Sequence, residues 1–384
     1  MIVEKTLSEL EVGHYVTEIA KQNSTFSLSA PGHIKSQAVI NHLKSKNVLS
    51  VFIDDAKTLV PEPKPLKNKA TIAAEIKEAK VIFDQSKAIQ KEVFAAALNG
   101  TTLDLTPVVE ITNKSVDAVF NNPDSLACMI NIREKDEYLL EHSVAVSVYI
   151  TIFARHLKIS KKVVQHLSIG AFLHDVGKIM IPDEILNKPG KLTNEEFDIM
   201  KTHASHSIDI IKKTPGVSKL SLQIAAQHHE KINGFGYPNQ LKGDDITKYG
   251  RMIAICDIFD ALTATRVYKE GFTHAKAFSI LLELVNQKHL DGYLVNEFIK
   301  CVGTFPVGSL VQLDSKKLAI VEQRNDGDIT KPKVRSFYSV KLNHFLNTQD
   351  IDLTTTEDFI VKGVRAEDFD LDMNKIVEIL LMEG

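Results

Sequence analysis

The stretch A-F-L-H-D-V-G-K-I, residues 171–179, decides how the rest of the chain is read. An apolar run that includes Leu167, Ile169, Phe172 and Leu173 leads directly into the adjacent pair His174 and Asp175. A charge emerging from a buried helical face is costly unless something pairs with it. A bound metal is one such partner, and imidazole with carboxylate suits iron, manganese, zinc or nickel. The same dipeptide also suits a capped helix end with a satisfied histidine. The remaining histidines and acids decide between the two.

His142 lies in Y-L-L-E-H-S-V, His203 in M-K-T-H-A-S-H, His228 and His229 in A-A-Q-H-H-E, and Asp257 in A-I-C-D-I-F-D-A-L-T. Each flanks an apolar helical run, so each can point inward from its own helix. Helices that each donate a ligand to a bundle core can build a two-metal site. Successive residues on a helix diverge by about 100°, so His228 and His229 are expected to approach such a centre from adjacent sides. Asp175, with two carboxylate oxygens, can bridge two ions. Asp260, one turn after Asp257, reads as structural rather than as a ligand. Lys178 can hold a phosphate oxygen as a point charge, or be a solvated lysine at a helix end. Tyr237, in G-F-G-Y-P, can stack on a base or pack its own loop, where Gly234 and Gly236 allow turns that other residues resist.

At 384 residues the chain is long enough for two or three domains. Its slight negative charge argues against a nucleic-acid polymer as partner. Cys128, Cys256 and Cys301 are scattered, which fits a reducing cytoplasm and excludes a zinc ribbon. The N-terminal residues do not read as a signal peptide, and no apolar run reaches the ~18 residues of a membrane span.

Residues 1–65 read as a small α/β domain, with a helix near 35–46 and a strand at 48–54. V-P-E-P-K-P-L-K-N-K (60–69) is a semi-rigid linker. Helical spacing over Ala70–Leu98 and again after Pro107 makes 66–130 a linker and helical connector. It either packs as a hairpin or carries a dimer contact, ordinary core helices being the plainer reading. Residues 131–305 are helical apart from loops at 187–192 and 233–249, and T-N-E-E (193–196) is a capping box. Over 306–384, G-S-L-V-Q-L-D, K-L-A-I-V-E-Q and V-K-L-N-H-F-L alternate like strands, and M-N-K-I-V-E-I-L-L closes as a helix. The expected fold is mainly α: a helical bundle holding metals, a small α/β N-terminal domain, and a β-containing C-terminal segment.

From Tyr138 to about Phe305 the chain resembles the HD-GYP family, a branch of the HD phosphohydrolases. The resemblance rests on H-D-V-G-K (174–178), I-P-D-E-I-L-N-K-P-G-K-L (181–192), H-H-E-K-I-N-G-F-G-Y-P (228–238) and D-I-F-D-A-L-T-A-T-R-V-Y-K (257–269). Residues 1–60 look like the small domain that often precedes HD-GYP in bacterial proteins. The resemblance implies an HD-type catalytic bundle over 131–305. It implies a cytoplasmic, metal-dependent phosphodiesterase that opens the second messenger cyclic di-GMP to pGpG, and often on to GMP. It implies metal ligands at His142, His174, Asp175, His203, His228, His229 and Asp257, with Asp175 and Lys178 catalytic. Lys178, Tyr237, Arg266 and Lys269 would meet substrate, Arg266 at a guanine or a phosphate through its planar fork and Lys269 at a phosphate. Family sites hold two or three ions, commonly iron or manganese. The third uses a Glu one turn before the first His, where this chain has Tyr138. A phenol stays neutral near pH 7, so two divalent ions are expected. A homodimer or a signalling-protein partner is left open.

Lys231 and Asn233 stand where the family usually has Arg and Asp, and Ala204 and Ser207 where it has Pro and Gly. None of these removes a ligand. Cyclic GMP-AMP (3′,3′) is the nearest alternative substrate. A catalytically weak dinucleotide sensor is the alternative of another class, disfavoured by the full ligand set. A generic HD nucleotidase is disfavoured by the GYP loop.

Overall fold

A computed structural model describes residues 2–28, 30–59, 69–132, 138–265, 270–325, 328–372 and 376. The chain divides into two units, Met1–Lys67 and Asn68–Gly384.

The first unit is a four-stranded antiparallel sheet with one helix. Its strands are β1 (Ile2–Thr6), β2 (Tyr15–Gln22), β3 (Gly32–His33) and β4 (Val48–Asp54), in the order β1-β4-β2-β3, with helix α1 (Gln37–Ser45) before β4. Ile40 and Leu43, one turn apart on α1, are buried in one cluster with Val16, Ile34, Val51 and Ile53. Asn47, at φ +56°, turns the chain out of the helix into β4, a conformation that Asn tolerates better than most residues.

The second unit is a helical bundle followed by a sheet. Its helices are α2 (Lys69–Leu98), α3 (Leu105–Asn121), α4 (Pro123–Ile132), α5 (Tyr138–His156), α6 (Lys161–Leu173), α7 (Asp183–Leu186), α8 (Asn194–Lys213), α9 (Lys219–Gln227), α10 (Lys248–Thr263), α11 (His274–Asn286) and α12 (Gly292–Val302). Between Tyr138 and Val302 the described residues form no strand, only an isolated bridge between Asn233 and Lys242. α5 is buried almost all round from Val144 to Ala154, as expected of an apolar helix at a bundle centre. α2, α6, α10 and α12 pack around it. Phe298 of α12 meets Phe153 of α5 at 5.3 Å and Phe259 of α10 at 5.1 Å, both edge-on. Phe298 is fully buried, and truncating such a ring costs about 3–5 kcal/mol. These contacts fix the helices that carry His142 and Asp257.

The expected capping box is present: Thr193 Oγ1 accepts from the Glu196 amide, and the Glu196 carboxylate accepts from the Thr193 amide at 2.7 Å. The C-terminal sheet comprises β5 (Leu310–Leu313), β6 (Lys317–Gln323), β7 (Lys333–Ser339), β8 (His344–Asp352) and β9 (Ile360–Val364), antiparallel in the order β8-β7-β6-β5-β9. The expectation of one strand over V-K-L-N-H-F-L is corrected. Val340–Asn343 is the turn between β7 and β8, with Asn343 at φ +53°, and only His344 onward is strand. The closing helix expected over residues 373–381 lies outside the described residues, apart from Ile376. Among the described residues no helix is long and apolar enough to cross a membrane.

Candidate metal centre

Five helices deliver seven inward-facing His and Asp side chains to one place. His142 comes from α5, His203 from α8 and Asp257 from α10. His174 is the residue at which α6 ends, and Asp175 follows it. His228 is the residue at which α9 ends, and His229 follows. Donor atoms of Asp175, His203, His228 and His229 all lie within 4.8 Å of one another, as do those of His142, His174 and Asp257. Asp175 faces both groups. Its Oδ2 is 3.3 Å from Nε2 of His142 and of His174. Its Oδ1 is 3.4 Å from His203 Nε2 and 3.7 Å from His228 Nε2.

The hydrogen bonds settle the tautomers. Nδ1 of His174, His203 and His228 each lies 2.6 Å from the carbonyl oxygen three residues earlier, those of Ala171, Met200 and Ala225. His142 Nδ1 lies 2.7 Å from Asp260 Oδ2. These oxygens only accept, so each Nδ1 carries the proton and each Nε2 presents its lone pair to the centre. Burial pushes the His229 imidazole down to about 3 and lowers those of His203 and His228 as well, so these rings are neutral at physiological pH. Burial alone would raise the carboxyls of Asp175 and Asp257. For Asp175, His174 and Lys178 outweigh it; for Asp257, His142 and His229 do. Both are held below the ordinary carboxylate range.

Lone pairs therefore face anionic oxygens and one another. His203 Nε2 and His228 Nε2, both with Nδ1 bonded to a carbonyl, are 3.4 Å apart, and His142 Nε2 is 3.0 Å from Asp257 Oδ1. His174 Nε2 and Asp175 Oδ1 are fully buried with no hydrogen-bond partner. Such a cluster is unfavourable by itself and is what a divalent cation resolves, so the residues fit a metal centre. His228 keeps helical dihedrals, φ −64° and ψ −22°, and the two rings, tilted by 44° with centroids 4.0 Å apart, enter one group from adjacent directions, His228 Nε2 lying 3.7 Å from Asp175 and His229 Nδ1 3.5 Å from Asp257.

Lys178 lies in a 3-10 turn (Val176–Met180) and donates to Asp175 Oδ2. That turn is pressed against α8. A Cβ on Gly177 would come within 2.2 Å of the His203 carbonyl oxygen, and the Gly177 amide donates to Ser207 Oγ at 2.8 Å. Ser207, a departure from the resembled pattern, thus ties the Lys178 turn to the His203 helix. Tyr237 packs its ring 4.6 Å from that of His229, and burial raises its phenol. Its loop is organised by buried Glu230, which accepts from the amides of Asn239 at 2.8 Å and Leu241 at 2.9 Å. Gly236 passes so close to Glu230 that a Cβ would come within 2.5 Å of its Cα. Asn233 Oδ1 accepts from the Phe235 amide at 3.1 Å, so the uncharged substitute still anchors the loop.

Asp260, expected to be structural rather than a ligand, supports His142 from behind. Asp257 and Asp260 are three apart on one helix face, so both turn toward His142. Glu230 and Ser207 gave no signal of their roles. Arg266 and Lys269 lie outside the described residues. Tyr138 opens α5, and its side chain likewise lies outside what is described.

A family model described as an HD domain matches residues 127–294. One described as a domain of unknown function matches residues 4–108. A cyclic di-GMP phosphodiesterase of Pseudomonas aeruginosa is 32% identical over 336 residues, 83% of this chain and 81% of that protein. A 3′3′-cGAMP-specific phosphodiesterase of Vibrio cholerae is 34% identical over 225 residues, 56% of this chain and 41% of that protein. This chain thus spans about two fifths of the Vibrio relative. Among solved structures, an HDG"Y"P protein from Bdellovibrio bacteriovorus aligns with a TM-score of 0.51 at 19% identity. The alignment covers 78% of this chain and 99% of that one, a likeness of fold.

Proposed function

The chain belongs to the HD-GYP family of HD-domain phosphodiesterases, and from that premise we propose that it is a metal-dependent enzyme hydrolysing a cyclic dinucleotide, with cyclic di-GMP as preferred substrate and pGpG as product. The supporting observation is the inward turn of neutral imidazole lone pairs onto a shared, buried Asp175. Two divalent ions, iron or manganese, would be held by His142, His174 and Asp257 on one side and His203, His228 and His229 on the other, with Asp175 between. Such ions supply a Lewis acid for the phosphodiester and a water activated at neutral pH.

The chain's own residues do the rest. Asp175 sets the two histidine groups in register, one oxygen to each. Lys178 places an ammonium beside Asp175, where it can also meet a non-bridging phosphate oxygen. The GYP loop walls the centre with Tyr237. Arg266 and Lys269 are assigned to a guanine and a phosphate. Residues 131–305 are the catalytic part, 1–65 a regulatory domain, 66–130 a connector and 306–384 an extension, and the protein works in the cytoplasm.

The test is turnover. Metal-depleted protein reloaded with Mn(II), or anaerobically with Fe(II), should open cyclic di-GMP to pGpG, resolved by chromatography. The Vibrio relative's name makes 3′3′-cGAMP the second substrate to offer, and faster turnover of it would reverse the preference. Tight binding of either dinucleotide with no turnover under both metals would make the protein a sensor instead.

A further inference from the structure

An exposed aromatic beside the centre has no part in the metal chemistry. Phe197 is 47% exposed on α8, six residues before His203, about 9 Å along the helix axis. A lone exposed apolar residue needs no explanation, but Phe197 is not isolated. Its ring meets that of Tyr237 edge-on at 6.5 Å, and Tyr237 packs on His229 at 4.6 Å. Two ring-to-ring steps therefore lead from a metal-facing imidazole out to solvent.

The position of Phe197 is also fixed in advance. It directly follows Glu196, whose carboxylate closes the capping box on Thr193 and accepts from Lys188 at 2.6 and 2.7 Å. Lys201 lies 5.3 Å from the Phe197 ring centroid and is itself held by Asp198 at 2.6 Å. An aromatic ring held rigidly and half open to water costs little ordering entropy when a flat partner settles on it.

We propose that Phe197 is a base-stacking residue of the substrate site: its ring and that of Tyr237, 89° apart, form an aromatic corner in which one purine of the cyclic dinucleotide stacks on Phe197 and meets Tyr237 edge-on. The proposal rests on the phosphodiesterase reading above. Stacking of a base on an aromatic side chain is sequence-tolerant and lost on truncation, so Phe197 should set affinity for the base without touching the reacting phosphate.

The experiment compares kcat/KM for cyclic di-GMP with kcat/KM for methyl p-nitrophenyl phosphate, a diester with no nucleobase, in manganese-loaded full-length protein. In Phe197→Ala the ratio of the two should fall about tenfold, through a raised KM for the dinucleotide. Phe197→Leu, which keeps apolar bulk but has no π-face, should fall equally, and Phe197→Trp should recover the ratio. An unchanged ratio in Phe197→Ala, or a leucine variant equal to wild type, would overturn the stacking role, because Phe197 would then be packing only. Wild-type protein that cleaves the simple diester and no cyclic dinucleotide would instead overturn the substrate class itself.

Discussion

Asp260→Asn should weaken metal binding at the His142 end while leaving the fold intact. Asp260 is fully buried and His142 nearly so, and Asp260 Oδ2 takes the Nδ1 proton of His142 at 2.7 Å. A carboxylate can only accept, which keeps the proton on Nδ1 and the lone pair on Nε2. Asparagine has the same shape but two orientations. With its oxygen toward Nδ1 the tautomer survives and the charge assistance, worth roughly a factor of two in bond strength, is lost. With its nitrogen toward Nδ1 the proton is driven to Nε2 and a ligand is removed. Loss of such supporting partners typically costs about 10–100-fold in metal affinity, or about 1.4–2.7 kcal/mol. The assay is competition of Mn(II) against a chelator of known affinity, with metal stoichiometry after dialysis and a thermal melt as the control for folding. Wild-type affinity at every site in a variant that melts normally would refute the claim that Asp260 sets the tautomer of His142.

Asp175→Asn should lose turnover and at least one ion per chain, since one carboxylate faces both histidine groups; full activity with full metal content would end the two-ion reading. Lys178→Ala and Arg266→Ala should keep their metals and lose turnover or substrate affinity, and depletion of metal in either folded variant would show that its role has been misassigned. Removing metal with a chelator should lower Tm by roughly 3–4 °C for each ion that stands about 100-fold above its Kd; calorimetry showing identical melts with and without metal would count against a structural cluster of facing lone pairs. Gly177→Ala must fit a Cβ within 2.2 Å of the His203 carbonyl, an overpacking worth about 1–3 kcal/mol, so it should melt lower and hold metal less well than wild type, and an unperturbed variant would mean that the turn and α8 are not pressed together.

What was legible in the sequence is what local pattern controls. Each candidate ligand closes or interrupts an apolar helical run, so its inward direction follows from the period of its own helix. The capping box at Thr193 and the change from helical to alternating pattern after Phe305 are equally local. What was not legible depends on where the period stops or on a distant partner. V-K-L-N-H-F-L carried the alternation of a strand, yet a left-handed Asn343 folds it into a hairpin turn. Ser207 looked like a departure until the Gly177 amide, 30 residues away, was found bonded to it. Phe197 had nothing to mark it, because its meaning comes from Tyr237, on a loop 40 residues on.

The position of the histidines at helix ends has a physical reason that joins the fold to the site. The last carbonyls of a helix have no amide ahead to accept from. His174 and His228 stand where α6 and α9 end, and their Nδ1 protons go to Ala171 and Ala225, carbonyls of those last turns. Each helix end thereby gains a donor for an under-used acceptor, and each imidazole gains a fixed tautomer and ring plane. His203 uses the same offset inside α8, where the Met200 carbonyl has a second lone pair to give. The centre thus obtains three oriented Nε2 atoms from backbone groups alone. No buried side chain has to be supplied to hold those rings. His142 is different. It lies inside α5, and its Nδ1 proton goes to Asp260, a second buried carboxylate one turn beyond Asp257 on α10. That explains why an acid that coordinates nothing in this reading is nevertheless fully buried in the same helix face as one that does.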